Sequence, residues 1–383
     1  MDVRREVIQR LASAKGFDAV GIVKPVSLEA GERALAQWVS EGRHGSMKYL
    51  ENYRTRRERF EKEFGEIKSL IVLGVNYYSE TTSSGQGALL SGRVARYARG
   101  RDYHAVIEAR QQSLIRELCA ELGDGFKAKS CVDTQPIAER SAAIMAGLGF
   151  GGKHTGLLNA KFGPWLFLSE IATNLDLPED APSSGTCGTC SYCQTACPTG
   201  ALDEDYRMDA RRCIAYLTIE HKGSIAKNLR SYVKDWVFGC DECLAVCPFT
   251  SKSEQTQWNE LMPEAGVGEF LDIEALFSIQ SNGDYEKRFM GTALLRAGRK
   301  QMMRNACLVL GNSGRPEAIP LLIRALSDRA ALVRGHAAWG LGCFTNKDAL
   351  QALNQRLAVE EDAEVIQEIM AAAQGIQKEV EGV

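Results

Sequence analysis

Seven of the chain's twelve cysteines fall in two short runs, and an eighth lies between them. The first run, Cys187-Gly-Thr-Cys190-Ser-Tyr-Cys193-Gln-Thr-Ala-Cys197-Pro198, is spaced C-x2-C-x2-C-x3-C-P. Three thiolates so close together wrap a tight loop around one polynuclear cluster, and soft sulfur donors suit iron–sulfur chemistry. In this spacing the fourth cysteine, carried off by the segment that follows, ligates a second cluster. A partner motif is therefore required, and Cys240-Asp-Glu-Cys243-Leu-Ala-Val-Cys247-Pro248 supplies the last three-quarters of the same pattern. The missing cysteine would stand where the chain has Val237, and Cys213 is the nearest replacement. Crossing the ligands predicts a first [4Fe–4S] cluster on Cys187, Cys190, Cys193 and Cys247. The second then takes Cys197, Cys213, Cys240 and Cys243.

The spacing is that of bacterial two-cluster ferredoxins. The alternative is a pair of four-cysteine zinc sites, but zinc ribbons use two separated C-x2-C knuckles without the tight trio and the following proline. Cys119, Cys131, Cys307 and Cys343 stand alone in apolar periodic segments and read as buried core thiols. Two cubanes pass single electrons and bind no organic substrate, so the chemistry belongs elsewhere on the chain, on the N-terminal part.

The elements that must position these residues follow from periodicity. Phe17–Val23, Ser69–Tyr78, Phe126–Thr134 and Trp165–Ala172 read as strands. Val3, Val7, Ile8 and Leu11 mark one face of a first helix ending at Gly16, and Leu28–Glu41, Tyr103–Leu122 and Ile137–Gly147 read as further helices. This alternation predicts an α/β domain with helices covering a sheet over residues 1–178. Thr81–Gly92 reads as a surface loop, and Leu177–Gly185 as a linker. The cluster module is expected over 179–255 and a connecting segment over 256–298. From 299 to 383 the pattern is helix after helix: Pro316–Leu326 aligns with Lys347–Leu357, and Asn305–Gly311 with His336–Gly342, both offset by 31 residues. That period in helix pairs predicts short HEAT-like repeats that pack on the rest of the chain. The fold class is thus multi-domain: an N-terminal α/β domain, a ferredoxin-like two-cluster module and α-helical repeats.

A net charge of −3 argues against a basic footprint over the whole surface. Between Lys287 and Arg334, however, ten basic residues face two acidic ones, a local excess of eight positive charges. A one-sided excess fits a phosphate-binding face, with Arg299 and Arg304 among the residues expected on it. No apolar run reaches membrane-spanning length, and Arg4-Arg5 is followed by no apolar signal segment, so a cytoplasmic location is expected. No Gly-x-Gly-x-x-Gly fingerprint follows a strand; Gly147-Leu-Gly-Phe-Gly-Gly152 follows a helix.

Five stretches carry a resemblance: Arg96-Tyr-Ala-Arg-Gly-Arg-Asp-Tyr-His104, Val132-Asp-Thr-Gln-Pro136, Ala146-Gly-Leu-Gly-Phe-Gly-Gly-Lys153, Cys213-Ile-Ala-Tyr-Leu-Thr-Ile-Glu-His-Lys-Gly223 and Gly239-Cys-Asp-Glu-Cys-Leu-Ala-Val-Cys-Pro248. Together they resemble the epoxyqueuosine reductase family, which completes the tRNA nucleoside queuosine. Departures are Gly151, His154 and Pro164, where the family pattern has Ile, Asn and Ser. The resemblance implies tRNA as substrate, bound through the anticodon loop. It also implies a cobalamin reduced to its cob(I) state through the two clusters, and an external low-potential donor such as a flavodoxin or ferredoxin. Asp102-Tyr-His104-Ala-Val-Ile107 begins like the D-x-H-x-x-G cobalamin-ligand motif but has Ile107 for the glycine, so the implied cobalamin is base-off with no histidine on cobalt.

The same resemblance places Arg57, Tyr97, Asp133, Lys153, His154, Cys240 and Asp241 at the cofactor, and Tyr103, His104 and Lys222 at the substrate. Asp133 becomes the proton donor, held protonated by desolvation in a closed pocket. Taken bare, Asp133 or Thr134 reads instead as an N-cap for the helix that follows. Two other functions stay open: a reductive dehalogenase with the same cofactors, and a non-catalytic electron carrier.

Overall fold

The computed structural model describes residues 2–80, 89–123 and 125–381. They form two compact units, each assembled from several stretches of chain: 1–80, 100–211 and 241–266 in the first, and 81–99, 212–240 and 267–383 in the second.

The first unit is built on a four-stranded sheet in the order Ala19–Val23, Ser69–Asn76, Leu166–Thr173, Ala128–Cys131. All four strands were legible as apolar runs. Every pairing is antiparallel, so the alternation of helix and strand builds an antiparallel α+β layer rather than a parallel wound sheet. Ser130, whose hydroxyl bonds Gln111, faces the helix Tyr103–Leu122. Its neighbour Cys131 points to the opposite face and packs with Val72, Ala142, Ala143 and Phe60. Helices Tyr53–Phe64 and Glu139–Met145 close that second face. The N-terminal helix runs Val3–Ala14, with Asp2 as its cap and Gly16 beyond it at φ +85°.

The second unit holds a small sheet in the order Trp236–Phe238, Ser91–Val94, Phe270–Asp272. Residues 81–88 of the expected Thr81–Gly92 loop lie outside the described residues, and Ser91 and Gly92 belong to a strand. Val237, at the position where a cysteine would complete the second motif, is wholly buried in this sheet. The helical tail is Arg299–Asn312, Ala318–Ala325, Ala331–Leu341, Lys347–Leu357 and Ala363–Glu381. Its core runs without a break into the small sheet through Val94, Val237, Phe238, Met302 and Ala306, as repeats too few to stand alone require.

Candidate functional site

A chain of hydrogen bonds is centred on Asp133. Its Oδ2 accepts from Tyr103 Oη at 3.1 Å and lies 3.1 Å from His104 Nε2. The other ring nitrogen of His104 sits 2.8 Å from Asp102 Oδ1. Local structure explains the convergence. Asp102 is the N-cap of the helix Tyr103–Leu122, accepting the His104 backbone N–H at 3.1 Å, so Tyr103 and His104 occupy its first turn. The Tyr103 ring lies flat on Phe167, with centroids 4.3 Å and planes 7° apart, and against His104 at 4.0 Å. Phe167 in turn meets Tyr77 at 4.3 Å. Sequence reasoning missed Phe167 and Asp102; the one is an aromatic in an apolar strand, the other an ordinary cap.

Burial works against a charged His104, but its bonds to Asp102 and Asp133 outweigh that and push it up to about 9. The side chain of Asp133 is 55% exposed. The residue stands on a turn above the sheet edge, just past the strand Ala128–Cys131. The imidazole holds its proton near neutrality, beside the Asp133 carboxyl. Neither Asp133 nor Thr134 is an N-cap: the helix begins at Glu139 with Ala138 before it and no side-chain cap. Asp133 instead adopts φ +55°, a conformation that costs a non-glycine residue free energy.

Below this array lie two carboxyls. Glu139 Oε1 accepts the backbone N–H of Asp133 at 2.8 Å. Glu170, opposite Cys131 and Val72 in the sheet, is fully buried, and neither of its carboxylate oxygens has a partner among the described residues. Burial raises Glu139 to about 8 and lifts Glu170 well above the carboxylate range. A glutamate inside the apolar strand Leu166–Thr173 was the signal for this pair in the sequence.

Arg57 is buried, donating to Glu61 at 2.7 Å and to the Pro136 carbonyl at 3.4 Å. Lys153 pairs with Asp205 at 3.0 Å, and its backbone N–H points at Cys187 Sγ at 3.4 Å. His154 is 6% exposed and accepts the Gly156 N–H on Nδ1 at 3.0 Å. Its Nε2 then carries the proton, and that buried atom has no partner among the described residues. Burial keeps the ring neutral, lowering it to about 4. An unspent neutral donor of this kind suits an uncharged, amide-rich ligand such as a corrin. Asp241 is buried before the short helix Glu242–Ala245. Tyr97 and Cys240 belong to the second unit, where Tyr97 packs on Phe238 at 6.2 Å.

The first cluster set sits together in the first unit. The short helices Tyr192–Ala196 and Glu242–Ala245 pack on each other, and Gly188 at φ +52° gives the loop its turn between Cys187 and Cys190. Burial raises the Cys193 thiol, helped by Cys187 and Cys247, and raises Cys247, helped by Cys187 and Cys190. Cys247 thus lies within the field of the trio. Ala201 N–H points at Cys197 Sγ at 3.2 Å. Among the described residues no three His, Cys, Asp or Glu side chains close on a single ion. Cys213 caps the helix Ile214–Ile219 of the second unit. Of the solitary thiols, Cys131 and Cys307 are buried, but Cys119 and Cys343 are exposed: Cys119 lies on the outward side of the helix Tyr103–Leu122 and Cys343 in the turn that follows Ala331–Leu341.

Three residues expected at the substrate are occupied elsewhere. Arg304 is wholly buried, donating to the carbonyls of His221 and Gly223 at 2.7 Å and of Leu217 at 2.5 Å. Arg299 is 7% exposed, donating to the Ile279 carbonyl and bridging Asp328 at 2.6 Å. Lys222 Nζ donates to the carbonyls of Ile219, Arg296 and Ala297. The two arginines satisfy backbone oxygens or an internal carboxylate that would otherwise be buried unpaired and do not reach for phosphate, whereas Lys222 is itself exposed.

Three family models match: "4Fe-4S double cluster binding domain" over residues 186–250, "Epoxyqueuosine reductase QueG, DUF1730" over 57–134, and "HEAT repeats" over 290–373. The epoxyqueuosine reductase of Pseudomonas aeruginosa is 39% identical over 334 residues, 85% of this chain and 90% of the relative. That of Xanthomonas campestris pv. campestris is 36% identical over 340 residues, 87% of this chain and 94% of the relative. Among solved structures, an epoxyqueuosine reductase bound to an epoxyqueuosine-modified tRNA stem loop aligns with TM-score 0.87 at 27% identity, over 97% of this chain and 98% of the other. The Bacillus subtilis enzyme, with its catalytic aspartate loop swung out of the active site, aligns with TM-score 0.87 at 26% identity, over 97% and 98%.

Proposed function

The chain belongs to the epoxyqueuosine reductase family, and on that premise we propose that it removes the epoxide oxygen of epoxyqueuosine in the anticodon loop of tRNA, with Asp133 delivering the proton. The observation that carries this reading is the array Tyr103–Asp133–His104–Asp102 in a family member. Loss of an epoxide oxygen as water consumes two electrons and two protons. The electrons call for the two clusters, and the protons for a group that carries one near neutrality and faces the substrate. His104, raised to about 9, keeps a proton where Asp133 can accept it and pass it on. Asp102 fixes the ring by accepting the N–H of its far nitrogen. Tyr103 and Phe167 offer a flat aromatic surface, and a base splayed from a single-stranded loop stacks on such surfaces.

Base-off cobalamin would supply the low-valent reducing centre. His154 Nε2, Lys153, Arg57, Tyr97 and Asp241 are the residues we assign to holding it; the unspent buried donor on His154 is what supports the fit. Cys187, Cys190, Cys193 and Cys247 hold one [4Fe–4S] cluster and Cys197, Cys213, Cys240 and Cys243 the other, fed by an external low-potential donor. The N–H groups of Lys153 and Ala201 on Cys187 and Cys197 tune the thiolates they touch. In modules, residues 1–178 carry cofactor and substrate, 179–255 the clusters and 299–383 the repeats. Among the described residues no helix is long and apolar enough to cross a membrane, and a tRNA substrate puts the work in the cytoplasm.

The test is anaerobic. Protein reconstituted with iron, sulfide and cobalamin is reduced and given tRNA bearing epoxyqueuosine, and the digested nucleosides are weighed. Loss of one oxygen supports the reading. An intact epoxide, with an organohalide reduced instead, would return the protein to dehalogenase chemistry. No change in the cobalamin spectrum under reduction would leave an electron carrier.

A further inference from the structure

Asp133 sits on a stretch with little regular structure to hold it. Between the strand Ala128–Cys131 and the helix Glu139–Met145, the turn's own backbone bonds are short-range: Thr134 N–H to Val132 O at 2.5 Å and Ile137 N–H to Gln135 O at 2.9 Å. Pro136 has no N–H to give. Arg56 and Arg57 hold the later part of the turn by the carbonyls of Thr134 and Pro136. At Asp133 itself, where φ is +55°, the backbone is tied to the helix that follows by its N–H, which donates to Glu139 Oε1 at 2.8 Å.

We infer that Glu139 is the latch of this turn, a positioning residue whose side chain, rooted in the first turn of its helix, holds the Asp133 amide so that the Asp133 carboxylate meets Tyr103 and His104. The left-handed conformation at a non-glycine residue costs free energy, so something must offset it. The hydrogen bond from the Asp133 amide to the Glu139 carboxyl, whose Oε1 can accept with or without a proton on the group, offsets it. The choice of residue is itself costly. Glu139 stands close enough to Glu170 and Asp133 for their charges to raise the carboxyls of the group. A leucine at this position would spare the burial of a carboxyl, but it would take the acceptor from the Asp133 amide and let Asp133 leave the array.

The latch rests on the assignment of Asp133 above, so its test includes a measurement that needs no activity. Glu139→Ala removes the acceptor and Glu139→Gln keeps an oxygen in its place. Both are made in the full chain with clusters assembled, and deuterium uptake is followed by mass spectrometry. In Glu139→Ala, uptake in peptides covering 132–138 should quicken about tenfold, with uptake in 69–76 and 166–173 unchanged. Its kcat should fall about tenfold or more while KM for the RNA holds. Glu139→Gln should resemble the parent in both. Unchanged uptake over 132–138 in Glu139→Ala overturns the latch, as does a glutamine variant no better than alanine, or uptake that quickens across the whole sheet. A parent protein inert on epoxyqueuosine RNA would sink the function instead and leave the exchange result to decide the latch alone.

Discussion

Asp133 and His104 share one proton between them, and each of their variants should betray a different part of that arrangement. Asp133→Asn is nearly isosteric and keeps an acceptor for Tyr103. Cluster content should survive while turnover falls about 10²-fold or more, the usual worth of a positioned acid; turnover within a few-fold of the parent would remove Asp133 from the chemistry. His104, at about 9, should give kcat an alkaline limb, falling as pH rises through 9. In His104→Gln that limb should vanish and the residual rate be flat. The carboxyls below titrate in the other sense. Glu139, at about 8, and Glu170 both bind a proton more tightly when folded than the 4.5 of a free glutamate. Their contribution to stability is therefore complete below pH 4.5 and lost as pH rises toward 8 and beyond, at about 1.4 kcal/mol per pH unit for one group. Melting temperatures between pH 5.5 and 8 should fall less steeply in Glu170→Gln than in the parent. Equal slopes would mean that Glu170 is ionised in the fold. Of all this the sequence offered Asp133 and His104 as neighbours of suggestive motifs. It offered no sign that Asp133 would be solvated, since exposure depends on where the turn sits relative to the sheet edge.

At the level of elements, spacing and apolar period carried far. The four strands of the main sheet and the helix Tyr103–Leu122 appear where their residues place them. Strand direction did not follow, because a short buried run looks the same in parallel and antiparallel neighbours. The cysteine pattern needed no fold at all, since its spacing is the chemistry. Cys213 remains the inferred member, substituting for a position that the core of the small sheet claims for Val237. Cys213→Ala should lower iron from about eight per chain toward four and leave the other cluster's spectrum in place. Full iron with an unchanged spectrum would show that some other group completes the set. Arg304 is the element-scale misreading. A cation in a basic run looks like a phosphate ligand until its partners are seen, and here they are three carbonyls around Leu217–Gly223. Arg304→Met should destabilise the helical tail by roughly 3 kcal/mol, read as a lower melting temperature.

Across the second unit as a whole, the basic excess survives the removal of Arg299 and Arg304 from it, and the architecture says where it gathers. Successive helices of the repeats run in opposite directions, and the Arg299–Asp328 bridge ties the start of Arg299–Asn312 to the end of the next helix. Lys300, Arg324 and Arg329 share that end outside the buried core, while Arg315, which is exposed, lies in the turn at the other. Arg296 is near as well, its backbone carbonyl bound by Lys222 and its guanidinium by Glu220. Cations gathered at one end of a helical layer can neutralise neighbouring phosphates together, whereas scattered ones make only a solvated surface. Charge reversal should therefore depend on position. Lys300→Glu with Arg329→Glu should weaken tRNA binding and flatten the plot of log affinity against log salt by about 0.7 to 0.9 for each phosphate no longer neutralised. Arg315→Glu, an equal change in net charge per site, should leave that slope alone. Iron content and melting temperature should hold in all three, since none of these side chains is buried. Equal weakening from the two ends would mean that only net charge matters. Unchanged affinity from both would place the tRNA-binding face outside the repeats.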